Sequence, residues 1–171
     1  MMGCRLVVLV SSVLALAPLP SFARDRTDLP TSMAEASREQ VAETLPAPAR
    51  NALLSARNRK QYVATTVEFA KTAAGKDGIL TDADAKGLAP EDPRAVQIRY
   101  YLHVPYLKPY FTPGKLGSRS VPRIPVREMG QVAGAIWDKF DANRDGVLST
   151  EENAPLRVAR GGSSNGRPPL W

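Results

Sequence analysis

Cysteine is almost missing from this chain. Cys4 is the single one, so no intrachain disulfide and no cysteine-based metal cluster can form. Histidine also occurs once, at His103. A transition metal would find no second histidine or cysteine to share, so His103 reads as a packed or exposed side chain. No stretch after residue 23 is apolar over the length that a membrane crossing needs. There is no nucleophile elbow and no phosphate loop, and outside two short loops no pair of carboxylates stands out. The expectation is therefore a protein that is not an enzyme. No run of five or six like charges occurs either, which leaves a scattered surface charge. Nucleic-acid binding would rest on net charge alone and is not expected.

What is present begins with an export signal. Arg5 precedes the largely apolar segment 6–19, and Ser21-Phe22-Ala23 has the small-x-small pattern of a cleavage site. Pro18 and Pro20 interrupt a run already short for a bilayer. The expected signal is 1–23, with a mature start at Arg24 and a periplasmic or secreted destination. The chain carries 23 basic and 17 acidic residues, a net charge of +6. Cleavage removes Arg5 alone among them, leaving 22 basic and 17 acidic residues and a charge of +5. Such a balance suits an anionic partner or a plain solvated surface.

The densest chemistry lies in Asp141-Ala142-Asn143-Arg144-Asp145-Gly146-Val147-Leu148-Ser149-Thr150-Glu151-Glu152. Oxygen-bearing side chains recur at positions 1, 3, 5, 9 and 12 around a glycine at position 6. This matches D-x-[DN]-x-[DN]-G-x5-E at every constrained position. Ahead of it, Val126, Met129, Val132, Ala133, Ile136, Trp137 and Phe140 recur every three or four residues, one apolar face of a helix leading into Asp141. Residues 126–158 resemble the EF-hand calcium-binding superfamily, in an exported bacterial-type form. The resemblance implies a helix-loop-helix that binds Ca2+, a hard cation that takes six to eight oxygens. It implies side-chain ligands from Asp141, Asn143 and Asp145, the backbone carbonyl of Val147, a water held by Ser149, and both carboxylate oxygens of Glu152.

A fainter copy precedes it. Lys76-Asp77-Gly78-Ile79-Leu80-Thr81 parallels Arg144-Asp145-Gly146-Val147-Leu148-Ser149, which sets a first loop at residues 73–84. Asp77, Ile79, Thr81 and Asp84 then take positions 5, 7, 9 and 12, a weak second metal site at best. Positions 1 and 3 are Ala73 and Gly75, which carry no oxygen ligand, and Asp84 is one carbon shorter than glutamate. Thr81 and Asp84 are also spaced to cap the following helix without any metal. The family pairs its hands through a short β bridge at position 8, which implies that Leu80 pairs with Leu148. The degenerate hand, about 59–89, would then act as a scaffold for the intact one. The loops start 68 residues apart, about twice the family's separation.

The rest is read as helix and turn. Ser32 and Glu35 form a capping-box pattern ahead of a helix to about Thr44. After Pro46 and Pro48 a second helical stretch is expected from about Ala49 to Ala74. Between the hands lies an insert at 90–125, where Asp92-Pro93 can start a helix and Pro105, Pro109 and Pro113-Gly114 impose turns. It collects Tyr100, Tyr101, Tyr106, Tyr110 and Phe111. Two readings stand, an aromatic and basic surface for a protein or glycan partner, or side chains packed against the hands. Pro155 is expected to keep the exiting helix short. Residues 161–171, rich in Gly, Ser, Pro and Arg, read as a disordered tail.

The fold class expected is all-α, with paired EF-hands, a β bridge between the loops, an N-terminal helix and a Pro/Tyr-rich insert. The function expected is calcium binding at one intact site, with calcium mainly stabilising the fold. The alternative is a calcium-dependent binding module. Calcium-driven grooves use flexible methionines, and beyond the signal only Met33 and Met129 are present.

Overall fold

The computed structural model describes residues 29–116 and 119–161. The expected signal segment and the tail beyond residue 161 lie outside them. The described chain is rich in helix: α1 (Arg38–Thr44), α2 (Ala47–Ser55), α3 (Arg59–Ala73), α4 (Pro93–His103), α5 (Met129–Phe140) and α6 (Ala154–Gly161). Four short strands, β1 (Ile79–Thr81), β2 (Gly114–Leu116), β3 (Arg119–Val121) and β4 (Arg123–Pro125), form two antiparallel pairs. No helix among the described residues is long and apolar enough to cross a membrane.

Local hydrogen bonds decide where each helix starts. At Ser32 the expected box closes on one side only. The Glu35 N–H donates to Ser32 Oγ at 3.3 Å, while the Glu35 carboxylate takes its closest bonds from the Thr31 N–H and hydroxyl. The reciprocal pair forms five residues later. Ser37 Oγ accepts from the Gln40 N–H at 3.1 Å, and Gln40 Oε1 accepts from the Ser37 N–H at 2.9 Å, so α1 begins at Arg38. The single helix expected over 49–74 is two helices. α2 ends at Ser55, and Asn58 restarts the chain as α3 by accepting from the Gln61 N–H at 2.9 Å. Asp92 caps α4 with Pro93 in its first turn, as expected.

The central contact is α3 against α5, and it is antiparallel. The Arg59 N–H, at the start of α3, donates to the Gly146 carbonyl at 3.0 Å, beyond the end of α5. At the other end the Val126 N–H, just before α5, donates to the Gly78 carbonyl at 2.9 Å, beyond the end of α3. The two loops therefore lie at opposite ends of a 15-residue helix, a separation of about 22 Å at 1.5 Å per residue.

That geometry corrects the expected bridge. Leu80 does not pair with Leu148. β1 runs antiparallel to β4, with Leu80 opposite Ile124, Ile79 opposite Pro125 and Thr81 opposite Arg123. Leu80 and Ile124 are both fully buried. The strand that completes the first loop comes from the end of the insert, because the second loop is a helix length away. Pro155 also plays a different part from the one expected. It is the second residue of α6, where a missing N–H breaks no helical bond, so it starts that helix. α6 then packs on α1, with Leu156 buried.

The insert supplies core, which overturns its reading as a binding surface. Tyr100, Tyr101 and Tyr106 are wholly buried, Phe111 is 8% exposed and Tyr110 is half-buried. Ala95, Gln97, Ile98, Tyr100, Tyr101 and Leu102 are all buried, so α4 is covered around most of its circumference. The Tyr100 and Tyr106 hydroxyls lie 3.2 Å apart, and Tyr106 also meets the Thr44 hydroxyl. Each polar tip thus finds a partner inside, which lets a tyrosine take a core position.

Candidate metal loop

α5 delivers the second loop as the apolar spacing implied. Met129, Val132, Ala133, Ile136, Trp137 and Phe140 are buried on its inner face, and Asp141 follows as its C-cap. The loop then folds on its own polar side chains. Asn143 Oδ1 accepts from the Asp145 N–H at 3.0 Å, and Asp145 Oδ1 from the Val147 N–H at 2.8 Å, two successive Asx turns. Arg144 takes a left-handed φ of 59° and Gly146 one of 80°. Glycine meets that demand at position 6 without steric cost.

Glu152 closes the loop from its far side. Its Oε1 accepts from the N–H groups of Ala142 at 2.7 Å and Asn143 at 3.3 Å, and its Oε2 from that of Ser149 at 2.9 Å. The Ser149 N–H, with those of Asn143 and Ala142, holds the Glu152 carboxyl below the usual carboxylate value against the opposing effect of burial. The Glu152 N–H returns a bond to Ser149 Oγ at 3.2 Å. Ser149 and Glu152 are therefore a capping box, at the positions where the resemblance implied a water-holding residue and a bidentate ligand.

Asp141 is the exception to this mutual satisfaction. It is 3% exposed. Its Oδ2 accepts from the Gly146 N–H at 2.9 Å and from the Trp137 indole N–H at 3.1 Å. Its Oδ1 is buried with no hydrogen-bond partner. An unpaired buried carboxylate oxygen is costly, and a cation is one of the few things that relieves it. Among the described residues no three His, Cys, Asp or Glu side chains are gathered closely enough to hold a metal ion. In this loop the reason is visible, since both Glu152 oxygens are turned to backbone donors and those of Asp145 to the Val147 N–H and the Asn143 side-chain amide. The donor set is nevertheless all oxygen and includes three carboxylates, which fits calcium.

The first loop repeats the frame without the ligands. Gly78 has φ 65°, and Asp77 Oδ1 accepts from the Ile79 N–H at 3.1 Å, matching Asp145 and Val147. Asp84 Oδ2 accepts from the Thr81 N–H at 2.7 Å and its hydroxyl at 2.9 Å, matching Ser149 and Glu152. Ala73 ends α3 and Gly75 opens a short turn, so positions 1 and 3 offer no side-chain oxygen. His103 Nε2 lies 2.7 Å from Asp82 Oδ1, tying α4 to this loop.

Two neighbours of the second loop were not marked as such by the sequence. Trp137 counted only as an apolar residue, although an indole N–H four positions before a helix-ending aspartate is placed to reach it. Arg59 gave no signal of a partner near the loop, because its bonds to Asp138 at 2.7 and 3.0 Å span 79 residues. Comparison with protein-family models, curated proteins and solved structures finds no match to this chain.

Proposed function

We propose that this is an exported calcium-binding protein with one working site, the loop 141–152, built as an EF-hand-type helix-loop-helix. The observation that carries the reading is Asp141 Oδ1, buried and without a partner at position 1 of a full oxygen-ligand pattern. The residues that would hold the ion are Asp141, Asn143, Asp145, the Val147 carbonyl, Ser149 through water, and Glu152. Calcium would supply a divalent charge that offsets the three ligand carboxylates, Asp141, Asp145 and Glu152. The loop 73–84 keeps its turn through capping and serves as structure. No reaction is assigned to the protein.

The export signal implies a compartment rich in calcium. A site of roughly 0.1 to 1 mM, the range of extracellular modules, stays filled there and works as a permanent brace. Calorimetric titration of the chelated mature protein tests the proposal. One calcium per chain is expected, and Asp141→Ala should abolish the heat. A wild-type protein that gives no heat, and no calcium-dependent change in melting temperature, would end the calcium reading.

A further inference from the structure

Trp137 touches the proposed site and yet belongs to the core. It is fully buried, with its ring centroid 5.9 Å from that of Tyr62. Packing alone requires no particular direction of its N–H. In this chain the indole N–H points along α5 at Asp141 Oδ2, 3.1 Å away and one helical turn on. The backbone ties the same two residues together, since the Asp141 N–H donates to the Trp137 carbonyl at 3.0 Å.

A free carboxylate can rotate about its last bond and exchange its two oxygens. Here the exchange is blocked. Oδ2 is claimed by two donors, the Trp137 indole and the Gly146 N–H, and Oδ1 is left facing a place with no protein donor. Groups hydrogen-bonded to a metal's ligands fix ligand orientation in this way and strongly affect affinity.

We infer that Trp137 is a positioning residue for calcium, holding Asp141 so that Oδ1 alone is presented to the ion. The inference rests on the calcium reading above and deepens it. It has a second consequence. Drawing charge toward Oδ1 weakens the acceptor at Oδ2, so the indole N–H senses occupancy through one carboxylate. Trp137 is then a built-in reporter of the site, wired to Tyr62 and the core behind it.

The test compares the wild type with two variants in calcium titrations. Trp137→Phe removes the N–H and some packing. A benzothienylalanine at position 137 removes the N–H and keeps the bicyclic shape. Both should bind calcium about tenfold more weakly. In chelator the benzothienyl variant should melt within a few degrees of the wild type. In the wild type the indole N–H resonance assigned to Trp137 should move in step with the filling of one site. An unchanged affinity in the benzothienyl variant, or a Trp137 resonance that stays still while calcium binds, overturns the positioning role and leaves the calcium reading intact. A wild type that takes up no calcium removes both.

Discussion

The Arg59 N–H donates to the Gly146 carbonyl at 3.0 Å, while the Arg59 guanidinium forks onto Asp138. One residue at the start of α3 thus holds both the last turn of α5 and the middle of the loop. The ion pair is about half exposed on each side, so it contributes little energy by itself. The backbone bond matters more, because it fastens the loop to the helix that carries the central contact.

Calcium should therefore stabilise the whole chain and not the loop alone. At ten times the dissociation constant the expected gain is about 1.4 kcal/mol. Differential scanning calorimetry should show one transition that shifts upward as a unit with added calcium. A second transition appearing at low calcium would mean that the loop melts independently of α3.

The first loop is expected to answer to capping and not to metal. Asp84 accepts two bonds from Thr81 and closes a reciprocal box at that turn. Asp84→Ala should cost about 1 to 2 kcal/mol in denaturant unfolding. Calcium stoichiometry and affinity at the second loop should stay as in the wild type. A lost or weakened site in the titration would show that the first loop takes part in binding.

Leu80 and Leu148 occupy the same position in the two loops but should behave differently. Leu80 is fully buried opposite Ile124, and Leu148 is partly buried against the core. Leu80→Ala should destabilise by roughly 2 to 5 kcal/mol, as for a buried leucine, and Leu148→Ala by clearly less. Strong coupling in a double-mutant cycle between the two would contradict their placement at opposite ends of α3.

Alkaline pH gives a further test of the core. Burial, first among the causes, pushes the hydroxyls of Tyr62 and Tyr100 well above their ordinary value of 10.0, and raises those of Tyr101 and Tyr106. With the folded value above the unfolded one, the stability is fully present below about 10. It is lost as pH rises toward the folded values. Tyrosinate absorbance from these residues should appear together with the loss of helical circular dichroism, as one cooperative step. Ionisation with the helices intact would place the four hydroxyls in contact with water.

The sequence revealed most where a short segment decides its own structure. The apolar spacing from Met129 to Phe140 and the Thr81–Asp84 box are both local, and each has its counterpart in the fold. The break at residues 56–58 was missed because no proline or glycine marks it. Asn58 is the cap, and it sits among residues that also suit a helix interior. Ser32 and Ser37 begin equally good capping patterns, and the Thr31–Glu35 bond decides between them. The Leu80–Ile124 register and the burial of the insert's tyrosines were out of reach, since both depend on how α3, α4 and α5 come together.

The antiparallel packing of α3 and α5 gives each loop a different neighbour to answer to. When two hands share a bridge, each one templates the other, and a change in either disturbs the shared register. Here the first loop is templated by β4, and the second is held by the beginning of α3. Neither has to match the other. The first loop finds its strand partner in β4, so its register is set without the second loop. The two loops of this molecule are separate tenants at either end of one helix.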